Sequence, residues 1–577
     1  MPSDRTPLLA ASRRSVDSAR SDERAEAEDN AIRGASPNRE GWSSRLREII
    51  LFIWALLATA VIIVLAAMLQ HNQTTGPLDK PVGKRNLIFM VSDGMGPATL
   101  SLTRSYRQLV DGLEHDDTLT LDKHFWGTSR TRSSNRLVTD SAAGATAFSC
   151  GEKTYNGAIS VLPDFSPCGS VMEAAKEAGY KTGLVVTTDI TDATPACFAS
   201  HVNLREQENE IALQEIGEGP LGRVVDIMLG GGRCHFLPNT TEGSCRADDV
   251  NVAHIAQEKH GWTYLDSRAG FDDLHAGENV SLPLMGLFAG NDVPFEIDRR
   301  NMADVYPSLS EMATTALRAL ELATKDSDYG FFLMIEGSRI DHAGHFNDPA
   351  AQVREVLEYD KTFKAVVDFI EESKTESLLV ATSDHETGGL STAWQSQSAE
   401  LPVYNWYPSV LAKTNASNAY LTHKLHEYLR SIKSDPAAQG ELEDWINTNL
   451  VIPGLGITNA RDFELKKLAS DPAHAINTFS KMISQRARIG WSTRGHSAID
   501  VNIYSSGGPY AEDLHGNVEN TEIGKFLRKY LSVSTDTITQ ELKEKMDWGP
   551  SLAGVSPDDA MAQMGIEMEE GPVYWLD

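Results

Sequence analysis

The chain has 577 residues, with 81 acidic against 52 basic side chains and a formal net charge of −29. So acidic a chain lacks the basic footprint that nucleic-acid binders need, and nucleic acid is excluded as a partner. Its length is sufficient for one large core or two smaller ones.

Residues 1–48 are rich in Ser, Arg, Asp and Glu and poor in apolar groups, which predicts a disordered tail. Within it, Asp4-Arg-Thr-Pro-Leu8-Leu9 resembles the acidic dileucine signals that cytosolic adaptor coats read. Ile49 to Leu69 follows as 21 residues without a charge, long enough to cross a bilayer core of about 30 Å and longer than the apolar part of a cleaved signal peptide. It is expected to be a retained signal-anchor. Arg39, Arg45 and Arg47 before it favour a cytosolic amino end over Lys80, Lys84 and Arg85 beyond it. The sequons at Asn72, Asn239, Asn279 and Asn415 all follow the anchor, as do all five cysteines. This distribution suits a single-pass type II protein with a lumenal main domain. Cys234 and Cys245 are close enough in sequence for a short disulfide loop, Cys150 with Cys168 is a second pairing, and Cys197 reads as a small buried residue. Residues 70–84 form a Pro/Gly-containing linker.

The lumenal part then alternates. Leu87–Val91 reads as a buried strand ending at Ser92-Asp93-Gly-Met-Gly96. Ser170-Val-Met-Glu173 is a capping box opening a short helix closed by Gly179, and the strand Gly183–Thr188 leads to Asp192-Ala-Thr194-Pro195. Leu229-Gly-Gly-Gly232 lacks the spacing of a phosphate-cradling fingerprint and reads as a structural turn. Ser308-Leu-Ser-Glu311 is a second capping box, followed by the strand Phe331–Ile335 with Glu336 at its end. Asp341 and His345 are four apart, so on a helical turn they share a face as a plausible zinc-ligand pair. Asp348-Pro349 opens the next helix, and Ser377–Thr382 is a strand ending at Asp384-His385-Glu386. Helices alternating with apolar strands predict an α/β fold with a mostly parallel central sheet flanked by helices. Ligands of such sheets bind beyond the carboxyl ends of the strands, where Asp93, Thr194, Glu336, Asp384 and His385 all fall. Residues 391–490 break the rhythm with aromatic clusters and helical stretches near 419–432 and 474–486, and are expected to form an inserted subdomain. His496 precedes a last strand, Ile499–Tyr504, and residues 532–577 read as a peripheral acidic tail.

Asp140-Ser141-Ala-Ala-Gly-Ala-Thr-Ala147 places a hydroxyl at the start of a run of small residues. At a helix amino terminus the free N–H groups and the dipole favour an anion, which suits a serine alkoxide or a phosphoryl group on it. The bland reading is Ser141 as a plain N-cap.

Asp93-Gly-Met-Gly, Asp140-Ser141-Ala-Ala-Gly-Ala-Thr-Ala, Asp192-Ala-Thr194-Pro, Glu336-Gly-Ser-Arg-Ile-Asp341-His342-Ala-Gly-His345, Ser383-Asp384-His385-Glu386-Thr-Gly-Gly and Gly495-His496 together resemble the alkaline phosphatases. The six blocks stand in order across roughly residues 85–531, and with the amino-terminal anchor the chain is similar to the fungal vacuolar members. The resemblance implies one zinc on Asp341, His345 and His496. It implies a second on Asp93, Asp384, His385 and the Ser141 oxygen, and a magnesium on Asp93, Thr194 and Glu336. Arg205 corresponds to the arginine that clamps phosphate, and a guanidinium fork suits two phosphoryl oxygens. Asp192 matches the bacterial members, where it stands behind the magnesium waters, whereas His342 matches the vertebrate ones. The resemblance further implies a homodimer in the vacuolar membrane that hydrolyses small phosphomonoesters through a phosphoserine on Ser141. A superfamily phosphodiesterase or sulfatase and an inactive anchored binding protein are the competing readings. The Ala-Ala-Gly after Ser141 disfavours a sulfatase, and the complete ligand set disfavours an inactive protein.

Overall fold

A computed structural model describes residues 41–74, 83–396, 401–433 and 436–546. The chain divides into two compact units, residues 1–77 and 78–577. The described part of the first is one helix, α1 (Gly41–Thr74). The expected anchor, 49–69, lies within α1, with its side chains from Ile63 onward outside the described residues. Among the described residues, no helix is long and apolar enough to cross a membrane. The Asp4/Leu8/Leu9 motif lies outside the described residues.

The second unit is built on ten strands: β1 (Arg85–Val91), β2 (Phe125–Arg130), β3 (Lys181–Asp189), β4 (Ile227–Gly231), β5 (Thr263–Leu265), β6 (Leu284–Leu287), β7 (Phe331–Glu336), β8 (Glu376–Thr382), β9 (Val501–Ser505) and β10 (Gly516–Glu519). They form a single sheet in the order β10-β2-β9-β8-β1-β7-β3-β4-β6-β5. Only β9 runs against its neighbours. The apolar runs alternate between two buried faces: Leu87, Phe89 and Val91 enter one core, Ile88 and Met90 the other. Covering both faces with helices is what makes these strands continuously apolar rather than alternating with polar residues.

Register sets the position of the site. Val91 is level with Glu336 on β7 and with Thr382 on β8, so the residues just past all three strands emerge along one edge of the sheet. Both capping boxes form, Ser170 with Glu173 and Ser308 with Glu311, and Asp348 caps the helix Pro349–Glu372. Disulfides join Cys150 to Cys168 and Cys234 to Cys245, and Cys197 is a buried free thiol.

Residues 391–490 leave and return through a two-stranded antiparallel stem, in which Leu390 faces Trp491 and Ser391 faces Gly490. Their helices, Asn418–Ser431 and Ala475–Ala487 among them, bury Leu421, Leu425, Phe479 and Ile483 in a third apolar cluster that includes Leu102 and Val353 from the main unit.

Two expectations need correction. The glycine run is not simply a turn: Gly230 and Gly231 are in β4, and only Gly232, at φ 84°, turns. A Cβ on Gly231 would lie 2.3 Å from the Asn291 carbonyl oxygen, so close backbone approach accounts for the glycine. Nor is 532–577 peripheral throughout. Thr535–Lys545 is a helix that buries Ile538 and Leu542 in the main core, because its apolar stripe covers part of the helix Val171–Ala178; residues 547–577 lie outside the described set.

Candidate active site

The helix Ser141–Ser149 starts the site. Its N-cap is Asp140, whose Oδ1 accepts from the Ala143 N–H at 3.0 Å while Oδ2 accepts from Gly157 at 2.8 Å. With Asp140 doing the capping, the Ser141 hydroxyl is released from that duty, and the plain N-cap reading of Ser141 is set aside. Ser141 Oγ lies 3.1 Å from His385 Nε2, and the residue is 4% exposed.

Around it converge two groups of ligand-type atoms. In the first, His345 Nε2 is 3.2 Å from Asp341 Oδ2, His496 Nε2 is 3.5 Å from Asp341 Oδ1, and the two Nε2 atoms face each other at 3.1 Å. In the second, His385 Nε2 is 3.1 Å from Asp384 Oδ2 and 3.5 Å from Asp93 Oδ1. The rings of His385 and His496 stack at 3.4 Å and join the two groups. The helix Arg339–His345 supplies Asp341 and His345 one turn apart, as their spacing predicts. Gly94, at φ 75°, lets the β1 loop pass directly over Asp341; a Cβ there would fall 2.6 Å from the Asp341 Cα.

The donor set fits metal ions. His496 Nδ1 meets the Thr139 carbonyl at 2.7 Å, and His345 Nδ1 meets that of Arg494. A carbonyl only accepts, so each Nδ1 carries its proton and each Nε2 is left as a lone pair, the arrangement of a metal-binding imidazole. Two lone-pair nitrogens facing one another repel unless a cation lies between them. Burial, together with His385 and His345, pushes His496 down to about 3, so His496 itself does not carry that charge. Burial opposes ionisation of Asp341, but His345, His496 and His385 hold its carboxyl well below the usual range.

Beside these lies an oxygen-only corner. Asp93 Oδ1 is buried without a hydrogen-bond partner, and the buried Thr194 hydroxyl sits beside Glu336. Ser338 Oγ donates to Glu336 Oε2 at 2.7 Å. Burial first, then Asp384, Asp341, Glu336 and Asp192, raise Asp93 well above the ordinary carboxylate value; burial and Asp192 raise Glu336 to about 8 despite the Ser338 bond. Carboxylates crowded with orphaned oxygens are the donor chemistry of a hard divalent cation.

Arg205 Nη2 donates to Asp192 Oδ1 at 2.7 Å, and Nη1 lies 3.6 Å from Asp140 Oδ2. Asp192 also caps the helix Ala193–Ala199, which carries Thr194. His342 stands apart from the two nitrogen groups: its Nδ1 is 3.1 Å from Asp292 Oδ2, which Arg339 also approaches at 3.3 Å. Burial opposes it, but Arg339 and His342 bring Asp292 down to about 2. Asp140, Asp292 and Thr387, whose hydroxyl bonds Asp341 Oδ1, were missed in the sequence. Asp140 had a signal: an Asp directly before a serine and a helix-forming run is an N-cap pattern.

A parallel sheet that presents a capped serine, an arginine and paired nitrogen–carboxylate groups at its strand ends is the frame of a metal-dependent phosphoryl hydrolase. The chain belongs to the alkaline phosphatase family: residues 84–533 match that family's model, and its activity is phosphomonoester hydrolysis with metal ions. It is 52% identical over 481 residues to the repressible alkaline phosphatase of Saccharomyces cerevisiae, covering 80% of this chain and 84% of that one. It is 42% identical over 541 residues to an alkaline phosphatase of Schizosaccharomyces pombe, covering 92% and 97%. Among solved structures, a cold-active alkaline phosphatase from Shewanella sp. superposes with a TM-score of 0.62 at 30% identity, over 77% of this chain and 99% of that one.

Proposed function

We propose that the chain hydrolyses phosphomonoesters through a phosphoserine on Ser141, with two zinc ions and one magnesium. Asp341, His345 and His496 would hold one zinc, Asp93, Asp384, His385 and the Ser141 oxygen the other, and Asp93, Thr194 and Glu336 the magnesium. Bound there, the ions lower the pKa of the serine hydroxyl and of water and neutralise charge on the phosphoryl and leaving oxygens.

The chain's own groups do the rest. Asp140 holds the first helical turn so that Ser141 Oγ points toward the nitrogen groups, and the amino end of the helix favours the phosphoryl charge. Arg205, oriented by Asp192, presents its fork to two equatorial oxygens. The Ser141 oxygen attacks phosphorus in line as the alcohol departs, and water then attacks the phosphoserine from the opposite side, returning the serine and inorganic phosphate. Asp292 and Arg339 hold His342 at the margin of this chemistry, as a positioning residue.

The observation that carries the reading is the pair of inward-facing Nε2 atoms on His345 and His496, each with its Nδ1 tied to a carbonyl, beside a serine released from capping. The test is phosphate release and metal content of Ser141→Ala. Activity should fall by at least about 10³-fold, as for loss of a covalent nucleophile, with both zincs largely retained; full activity would remove Ser141 from the mechanism.

We further infer a vacuolar membrane protein of type II, anchored by residues 49–69, acting as a homodimer, with sorting through Asp4, Leu8 and Leu9. The two disulfides and the exposed Asn239, Asn279 and Asn415 sequons support a lumenal domain. In sealed vacuoles, protease should remove an amino-terminal epitope and spare the catalytic unit. A protected epitope overturns the orientation, and unchanged delivery of the Leu8→Ala, Leu9→Ala protein overturns the sorting signal.

A further inference from the structure

A second group of ligand-type side chains meets at the carboxyl end of β3. Asp189 is the last residue of that strand, Glu208 opens the helix Glu208–Leu213, and His235 lies in the short turn Arg233–Phe236 after β4. A ligand atom from each lies within 4.8 Å of the others. His235 Nε2 is 3.0 Å from Glu208 Oε2 and 3.5 Å from Asp189 Oδ2. Its Nδ1 meets Asn209 Oδ1 at 2.9 Å. An amide oxygen only accepts, so Nδ1 carries a proton and Nε2 is the atom turned to the carboxylates. Thr191 Oγ1 donates to Glu208 Oε2 at 2.7 Å and steadies that carboxylate.

Independent observations point to a ligand rather than a closed ion pair. Asp189 Oδ1 is buried with no hydrogen-bond partner. Glu215 is fully buried with neither carboxyl oxygen partnered, and burial first, then the Glu208 charge, raise it well above the ordinary carboxylate value. One imidazole thus faces two carboxylates, and a single proton on it leaves the buried Asp189 Oδ1 unsatisfied.

We propose that Asp189, Glu208 and His235 bind a divalent transition-metal ion. One imidazole nitrogen with carboxylate oxygens suits Zn²⁺ or Mn²⁺. The ion takes the place of the Nε2 proton. It braces the site already described, because Asp189 stands three residues before Asp192 and Glu208 three residues after Arg205, and those two side chains bond each other at 2.7 Å. The proposal shares no ligand with the Ser141 site.

Zinc is counted by elemental analysis after equilibrium dialysis of the full chain against Zn²⁺, for wild type, His235→Gln, Glu208→Gln and His345→Ala. The first two variants should each bind one zinc fewer than wild type. Equal counts in wild type and a folded His235→Gln or Glu208→Gln overturn the proposal, and so does wild-type saturation at two zinc per chain with Mg²⁺ held in excess, whether or not the variants fold. His345→Ala separates the two readings: an unchanged count in that variant speaks against the Ser141 site and leaves the His235 comparison standing.

Discussion

The molecule carries two histidine clusters at the carboxyl edge of one sheet, and they are built on opposite electrostatic plans. In the His345/His496 cluster two nitrogens face each other and the His385 ring stacks on His496, and burial with the neighbouring histidines pushes His496 down to about 3. In the His235 cluster one ring faces two carboxylates; burial opposes protonation, but Asp189 and Glu208 prevail and raise it to about 9. The first cluster turns two ring nitrogens toward each other, a gap that an ion between them would fill. The second is partly satisfied by a proton and trades it for an ion. What separates them is the ratio of imidazole to carboxylate in a buried space, which sets whether Coulomb terms favour or oppose the charged ring.

His201 completes the contrast. It is fully paired: Nε2 lies 2.7 Å from Glu173 Oε1 and Nδ1 lies 2.9 Å from the Ser160 carbonyl, so both nitrogens have acceptors and no ion is needed. A buried histidine near the sheet is therefore not in itself a metal ligand.

The comparison can be broken in order of expected effect. Removing a nitrogen from the first cluster, His496→Ala, should cost one zinc and about 10²- to 10³-fold in kcat/KM, in the range of a lost charge-stabilising group; metal content and phosphate release check this, and a variant with two zincs and full rate would dissolve the cluster's role. Changing the oxygen corner, Glu336→Gln, should weaken magnesium and lower activity about 10- to 100-fold with zinc retained. Loss of zinc with magnesium kept would reverse the division of ligands.

The smallest effect concerns His201. Burial alone would lower its pKa, but Glu173 raises it above the unfolded value. A histidine raised on folding stabilises fully below the unfolded pKa of about 6.5, and that contribution is lost as pH rises through the higher folded value. Wild-type melting temperature should therefore fall across that window more steeply than that of His201→Gln, after allowance for the substitution's own cost of about 1–3 kcal/mol. Parallel profiles would show that the His201–Glu173 pair carries no charge.

The sequence by itself determined the frame. Apolar runs bounded by capping boxes specify the strands and helices, and the polar residue just past each run specifies what stands at the edge of the sheet; Asp93, Glu336 and Asp384-His385 are legible for that reason. The four-residue step from Asp341 to His345 is a helical turn in sequence and in space. Thr194 was legible by its place beyond a strand, whereas the roles of Arg205 and His496 came only through resemblance to a family.

Tertiary structure decided the partnerships. His496 takes its tautomer from the Thr139 carbonyl, 357 residues away, and stacks on His385. Asp292 engages His342, and Gly231 of β4 admits the neighbouring backbone of Asn291. Such contacts depend on which strands are adjacent and in what register, a property of the whole sheet rather than of any segment. The same holds for charge: whether a buried histidine prefers a proton or a metal follows from the neighbours that folding brings within a few ångströms.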